Sequence, residues 1–128
     1  MTLFPPGQGF GGGGSTGSGS LQPFSKDVTV LTPTTTVTVV AWRAPFACTV
    51  LKVWGYQDTG TGSVVTALHG AQDLLVTDIT LSPAGAWQDG GTVQHAKFAA
   101  GDVLYAKIVS VSATSPGMLA IQVDLTEP

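Results

Sequence analysis

Thr35-Thr36-Val37-Thr38-Val39-Val40-Ala41-Trp42-Arg43-Ala44-Pro45-Phe46-Ala47-Cys48-Thr49-Val50-Leu51-Lys52-Val53-Trp54-Gly55-Tyr56 is the stretch whose reading decides the fold. Its β-branched Val and Thr, with the aromatics Trp42, Trp54 and Tyr56, suit a pleated and half-buried surface. Pro45 cannot donate to a ladder, so the run divides into two strands around Arg43-Ala44-Pro45-Phe46. In the second strand, strict alternation puts Cys48, Val50 and Trp54 on one side and Leu51 and Val53 on the other. A strand apolar on both sides needs a cover on both sides. One cover is a second sheet; the other is a loop, an arm or a neighbouring subunit.

Outward from there the chain continues as strand after strand. The pattern predicts strands at 28–32, 36–42, 47–56, 63–69, 73–81, 92–96, 103–111 and 118–125. Turn chemistry separates them at Thr32-Pro33, Asp58-Thr59-Gly60-Thr61-Gly62, His69-Gly70, Ser82-Pro83-Ala84-Gly85, Asp89-Gly90-Gly91, Gly101-Asp102 and Pro116-Gly117. The last strand alternates cleanly, with Leu119, Ile121, Val123 and Leu125 on one face and Met118, Ala120, Gln122 and Asp124 on the other. No helical stripe competes. The expected fold is all-β: an antiparallel two-sheet β-sandwich of about eight strands, a jelly roll. Leu51, Val53, Ile108, Leu119, Ile121 and Val123 are the expected filling between the sheets.

Composition narrows the function classes. The 128 residues suffice for one domain with a tail. Charged residues make up only 10%, against about 25% in an average soluble domain, and a chain so poor in charge tends to hide surface in an assembly. A net charge of −3 and five scattered basic residues argue against nucleic acid as a partner. Cys48 is the one cysteine; it excludes an intrachain disulfide, reads as a buried thiol and fits a reducing compartment. No run of 18 apolar residues predicts a membrane span, and the start lacks the basic and apolar regions of a signal peptide.

Residues 1–25 read as an extended arm rich in Gly, Ser and Pro, ahead of a sandwich over residues 26–128. The run Gly11-Gly12-Gly13-Gly14-Ser15 to Ser20 is linker-like. The Gly-rich segment has no Gly-Lys-Ser/Thr and no strand before it, so it is no phosphate loop. Phe4, Pro5, Pro6 and Phe10 are its candidate anchors on a partner.

Three segments carry a family resemblance. Val39 to Val53, with Trp42-Arg43-Ala44-Pro45-Phe46-Ala47-Cys48-Thr49-Val50, is one. Trp87-Gln88-Asp89-Gly90-Gly91 followed by Phe98-Ala99-Ala100-Gly101-Asp102-Val103-Leu104 is the second, and the ending Leu119 to Leu125 is the third. Together they resemble small jelly-roll structural proteins of tailed bacteriophages over about residues 27–125. The resemblance implies a virion component assembled in the host cytoplasm, first of all a head decoration (cement) protein on the capsid surface. Such a protein bridges copies of the major capsid protein, often as a trimer. Related sandwiches in phage tails and fibres give the alternative, a receptor- or carbohydrate-binding module. In the first reading the two-faced strands 47–56 and 103–111 would serve subunit packing, with Trp54, Tyr56, Val103, Tyr105 and Val109 as interface candidates.

Candidate chemistry is sparse. His69 and His95 lie 26 positions apart without further ligands at metal spacing. Asp73, Asp78, Asp89 and Asp102 lack the dense acidic alternation of a calcium loop and read as turn caps. A triad of Ser82, His95 and Asp102 can be assembled on paper, but no nucleophile motif marks the serine. Trp42, Trp54 and Trp87 offer a sugar-stacking platform, with Trp87 the aromatic least suited to the core and the candidate exposed contact. No catalytic residue, metal or cofactor is assigned.

Overall fold

A computed structural model describes residues 22–82, 84–113 and 116–127; the arm candidates Phe4, Pro5, Pro6 and Phe10 lie outside the described residues. The strands are β1 (Pro23–Leu31), β2 (Val37–Arg43), β3 (Cys48–Gln57), β4 (Val64–His69), β5 (Gln72–Asp73), β6 (Ile79–Thr80), β7 (Gln88–Asp89), β8 (Lys97–Phe98), β9 (Val103–Ser110) and β10 (Met118–Thr126). All pairings are antiparallel. Sheet A runs β1-β10-β3-β7, with β8 also on β3; sheet B runs β2-β9-β4-β5, with β6 also on β4. The first four strands thus alternate between sheets and pair with strands far along the chain, which is the wiring of a jelly-roll sandwich. β1 begins at Pro23, so residues 23–25, read as arm, pair with Asp124 to Thr126 in the sheet.

The core lies between the sheets. Val53, Leu119, Ile121 and Leu125 of sheet A meet Val65, Leu104 and Ile108 of sheet B, all buried. One expected filler is missing. Leu51 is 48% exposed, because β3 is bulged against β10: Val50 pairs with Leu125 and Lys52 with Asp124, leaving Leu51 without a partner. An extra residue reverses the phase of a period-2 strand. Cys48, Val50, Val53 and Gly55 therefore all point inward, while Lys52, Trp54 and Tyr56 point out. Trp54 does not share a face with Cys48 and Val50.

Two expected strands also dissolve into shorter pieces. In 73–81, Leu74 and Leu75 are adjacent and both buried, which alternation forbids. The backbone turns there and crosses the open side of the sandwich. Leu74 donates its amide to Ala67 of β4, Val76 donates to Thr92, and Gln94 donates back to Leu74. Segment 92–96 accordingly holds a single bridge, Leu75 to Val93, in place of a strand. Gly90 permits this close approach, since a Cβ there would meet the Val53 carbonyl oxygen at 2.9 Å and Leu75 at 2.7 Å.

The side opposite is closed by aromatics. Phe24, Trp42 and Phe46 meet edge to face at 5.5–6.1 Å, and Lys26 sits with Nζ 5.2 Å from the Trp42 ring centre. An inward-leaning lysine on edge strand β1 also discourages pairing with a stray strand. Trp42 thus belongs to the sandwich edge.

Three substitutions test this packing by urea denaturation. Ile121→Ala should cost about 2–5 kcal/mol, since the side chain is buried. Gly55→Ala should cost about 1–3 kcal/mol, because its new methyl would meet Leu81 at 2.7 Å and Val65 at 3.0 Å. Leu51→Ala should stay within about 0.5 kcal/mol; a core-sized loss at Leu51 would contradict the bulge.

Candidate functional site

The bulge at Leu51 decides what the outer face of sheet A carries. Lys52, Trp54 and Tyr56 stand in one column, opposite Asp124, Gln122 and Ala120 of β10 respectively. On the other flank β7 pairs Asp89 with Trp54 and Gln88 with Gly55, so the next residue back, Trp87, reaches Tyr56. Their ring centres are 5.2 Å apart at 40°. Trp54, Trp87, Gln122 and Asp124 line an open depression of about 280 Å³. Trp87 is 47% exposed.

The polar groups of this face are held in place. The Trp54 indole donates Nε1–H to Asp124 Oδ2 at 2.8 Å. Asp124 Oδ1 accepts from Ser25 Oγ at 2.7 Å and from Gln122 Nε2 at 3.1 Å. Partial burial pushes the Asp124 carboxyl up. The three donors and the charge of Lys52 outweigh it and hold the group below the usual carboxylate range. Lys52 pairs with Asp89 and lies 5.3 Å from the Trp54 ring centre. Asp89 is lowered first by that lysine and then by the Gly91 amide. Asp124, placed by the sequence only on the face of the last strand opposite Leu119 and Ile121, is the hub of the face. Its signal in the sequence was faint: a carboxylate one strand away from a tryptophan and a serine, whose register only the pairing of β1, β10 and β3 reveals.

A second polar cluster lies at the far end of β4. His69 approaches Asp102 Oδ2 through Nε2 at 2.8 Å and the His95 carbonyl through Nδ1 at 2.8 Å. It also stacks on Phe98 with ring centres 3.9 Å apart. Both ring nitrogens face acceptors, so both contacts are hydrogen bonds together only when the ring carries two protons. Asp102 also accepts the Ala99 amide, which together with His69 lowers its carboxyl. His95 supplies backbone only, and it does so at φ 52°, a strained setting for a non-glycine residue. Asp102 therefore meets His69, while the sequence had offered His95. Ser82 follows Leu81, whose amide bonds Ser63 at the opposite end of β4, about 20 Å away at strand rise. The paper triad is not assembled.

The remaining candidates separate. Val103, Tyr105 and Val109 lie on the outer face of sheet B, away from Trp54 and Tyr56, so the five interface candidates divide between two opposite surfaces. On sheet B, Val40, Tyr105 and Leu68 stand side by side across β2, β9 and β4, beside Thr66, whose hydroxyl is buried without a hydrogen-bond partner among the described residues. Burial, aided by the charge of Asp102, pushes the Cys48 thiol up and keeps it unreactive. Sequence reasoning missed Gln57, buried in the core. It donates to Thr59 and Ser112 and accepts from the Ser63 amide, tying two loops together. No group of three or more potential metal-ligating side chains occurs among the described residues. No protein-family model matches the chain, and no curated protein matches it.

Asp58, lowered chiefly by the Met118 amide, joins Asp89, Asp102 and Asp124 as carboxyls held below their ordinary value. Such groups bind protons less readily in the folded state. Their stabilisation is therefore complete above about pH 4, the unfolded carboxylate range, and is lost as pH falls through the folded values. The urea midpoint should hold from about pH 7 to pH 5 and drop below about pH 4. Asp58→Asn should shrink that drop, and an unchanged acid limb in this variant would remove Asp58 from the account.

Proposed function

We propose that this chain is a non-enzymatic structural module of a bacteriophage virion, a head decoration protein that seats on the major capsid protein as a homotrimer. The observation that carries the reading is the strip of Val40, Tyr105 and Leu68 across three strands of sheet B. Val40 is 64% exposed there. A contiguous apolar strip on a rigid sheet is a surface made for a partner. The jelly-roll wiring and the low charge of the chain agree with the resemblance to phage virion proteins.

The mechanism is mechanical. Apolar area removed from water at a joint between capsid subunits contributes about 25 cal/mol per Å². Many copies on one shell add these contributions, so expansion or rupture of the shell must break all of them. The polar cluster beside the strip supports this reading, because His69 and Asp102 are occupied in holding loops together.

Antibody labelling and mass spectrometry of purified particles of the encoding phage test the assignment. The chain should be found on heads, at a copy number that follows the lattice; its absence from particles would overturn the reading. Sedimentation of the isolated protein at micromolar concentration should give a trimer. Val40→Asp should shift it to monomer while leaving the far-ultraviolet circular dichroism spectrum unchanged, since the position is exposed in the single chain.

A further inference from the structure

From the outer face of sheet A we infer a binding site for a neutral pyranose glycan, held between Trp54 and Trp87 and hydrogen-bonded by Asp124 and Gln122. The inference stands independently of the virion reading, since it uses the opposite face of the sandwich.

Geometry sets the size of the ligand. The depression of about 280 Å³ lies at the small end of ligand pockets, roughly 300–1,000 Å³. It suits one or two sugar rings and is too small for a dinucleotide. Its walls are large flat aromatic surfaces, and Trp87 offers nearly half of its surface to solvent. A pyranose has the complementary form: C–H groups crowd one ring face, and hydroxyls ring the edge. The C–H face lies against an indole, and the hydroxyls reach sideways for polar partners.

Those partners are present and already oriented. Asp124 accepts three hydrogen bonds from Ser25, Trp54 and Gln122, and a carboxylate offers about four lone-pair sites. One site is left for a hydroxyl donor. Gln122 gives one amide hydrogen to Asp124 and retains its carbonyl oxygen and second hydrogen. The Trp54 ring is fixed by its own bond to Asp124, so stacking against it costs little ordering.

Charge and hydrogen bonding set the obvious competitors apart. A phosphate or sulfate would face the carboxylates of Asp124 and Asp89, and Lys52 is already paired with Asp89. A quaternary ammonium has no hydrogen to donate to the free site on Asp124 and no acceptor for the second Gln122 amide hydrogen, so it would leave both oriented groups unused. A neutral polyol is what remains.

Isothermal titration calorimetry of the full chain tests the site, with cellotriose, maltotriose and tri-N-acetylchitotriose as neutral probes and choline and dextran sulfate as charged ones. At least one neutral trisaccharide should bind saturably in the millimolar range or tighter. Trp87→Ala, at an exposed position, should weaken it at least about tenfold with an unchanged melting temperature. Asp124→Asn should weaken it as well, and Val40→Ala on the opposite sheet should not. Failure of all three neutral probes, a preference for choline or dextran sulfate, or full binding by Trp87→Ala would each overturn the proposal.

Discussion

Everything in this molecule hangs on the two strands that hold a long strand on each edge. β10 holds β1 on one side and β3 on the other, and β9 holds β2 and β4 in the same way. Each ladder satisfies backbone groups that burial would otherwise leave unpaired at a cost of about 1–3 kcal/mol apiece. The apolar faces of β9 and β10 then close on one another, with Leu104, Ile108, Leu119 and Ile121 buried. The short strands β5 to β8 only trim the sheets. Without the two central strands there is no surface for any of them to join.

The same frame explains why chemistry is confined to the outside. Inside, the sandwich accepts few polar side chains, and Gln57 is tolerated because three hydrogen bonds engage both of its amide hydrogens and its carbonyl oxygen. Outside, one displaced residue sets the pattern. Leu51 steps out of register, and the next outward positions become Lys52, Trp54 and Tyr56, a cation and two aromatics beside the carboxylate of Asp124. The bulge spends an exposed leucine to produce an aromatic and polar face on a rigid sheet. Bulges commonly re-aim side chains in this way next to functional surfaces.

Much of this was legible in the sequence, and the failures have a common cause. The long strands and the inward face of β10 follow from period-2 alternation, which holds wherever a strand is regular. The same rule misplaced Leu51 because a bulge leaves no mark in the sequence beyond the pattern it breaks. It also drew a strand through Leu74 and Leu75, where two adjacent buried residues require a turn in the backbone. The sequence marks Trp87 as unsuited to the core, yet its partners Tyr56, Trp54 and Asp124 come from strands that only the fold brings together. Trp42, chemically identical, ended in the edge cluster with Phe24 and Phe46. Register decided between them, and register is a property of pairings between residues some seventy positions apart.

The wiring also dictates an order of events during synthesis. Among the described residues β1 pairs only with β10 and β2 only with β9, and these partners are the last strands made. A growing chain therefore carries two long, partnerless strands until β9 and β10 are made. Non-local pairing of this kind closes late and slowly, and open strand edges invite contact with other nascent chains. The Lys26 ammonium that leans inward on β1 and the Pro45 and Gly101 turns at the ends of β2 and β9 shorten that exposure only at the edges. The sandwich gains both of its sheets almost at once, when β9 and β10 follow the rest.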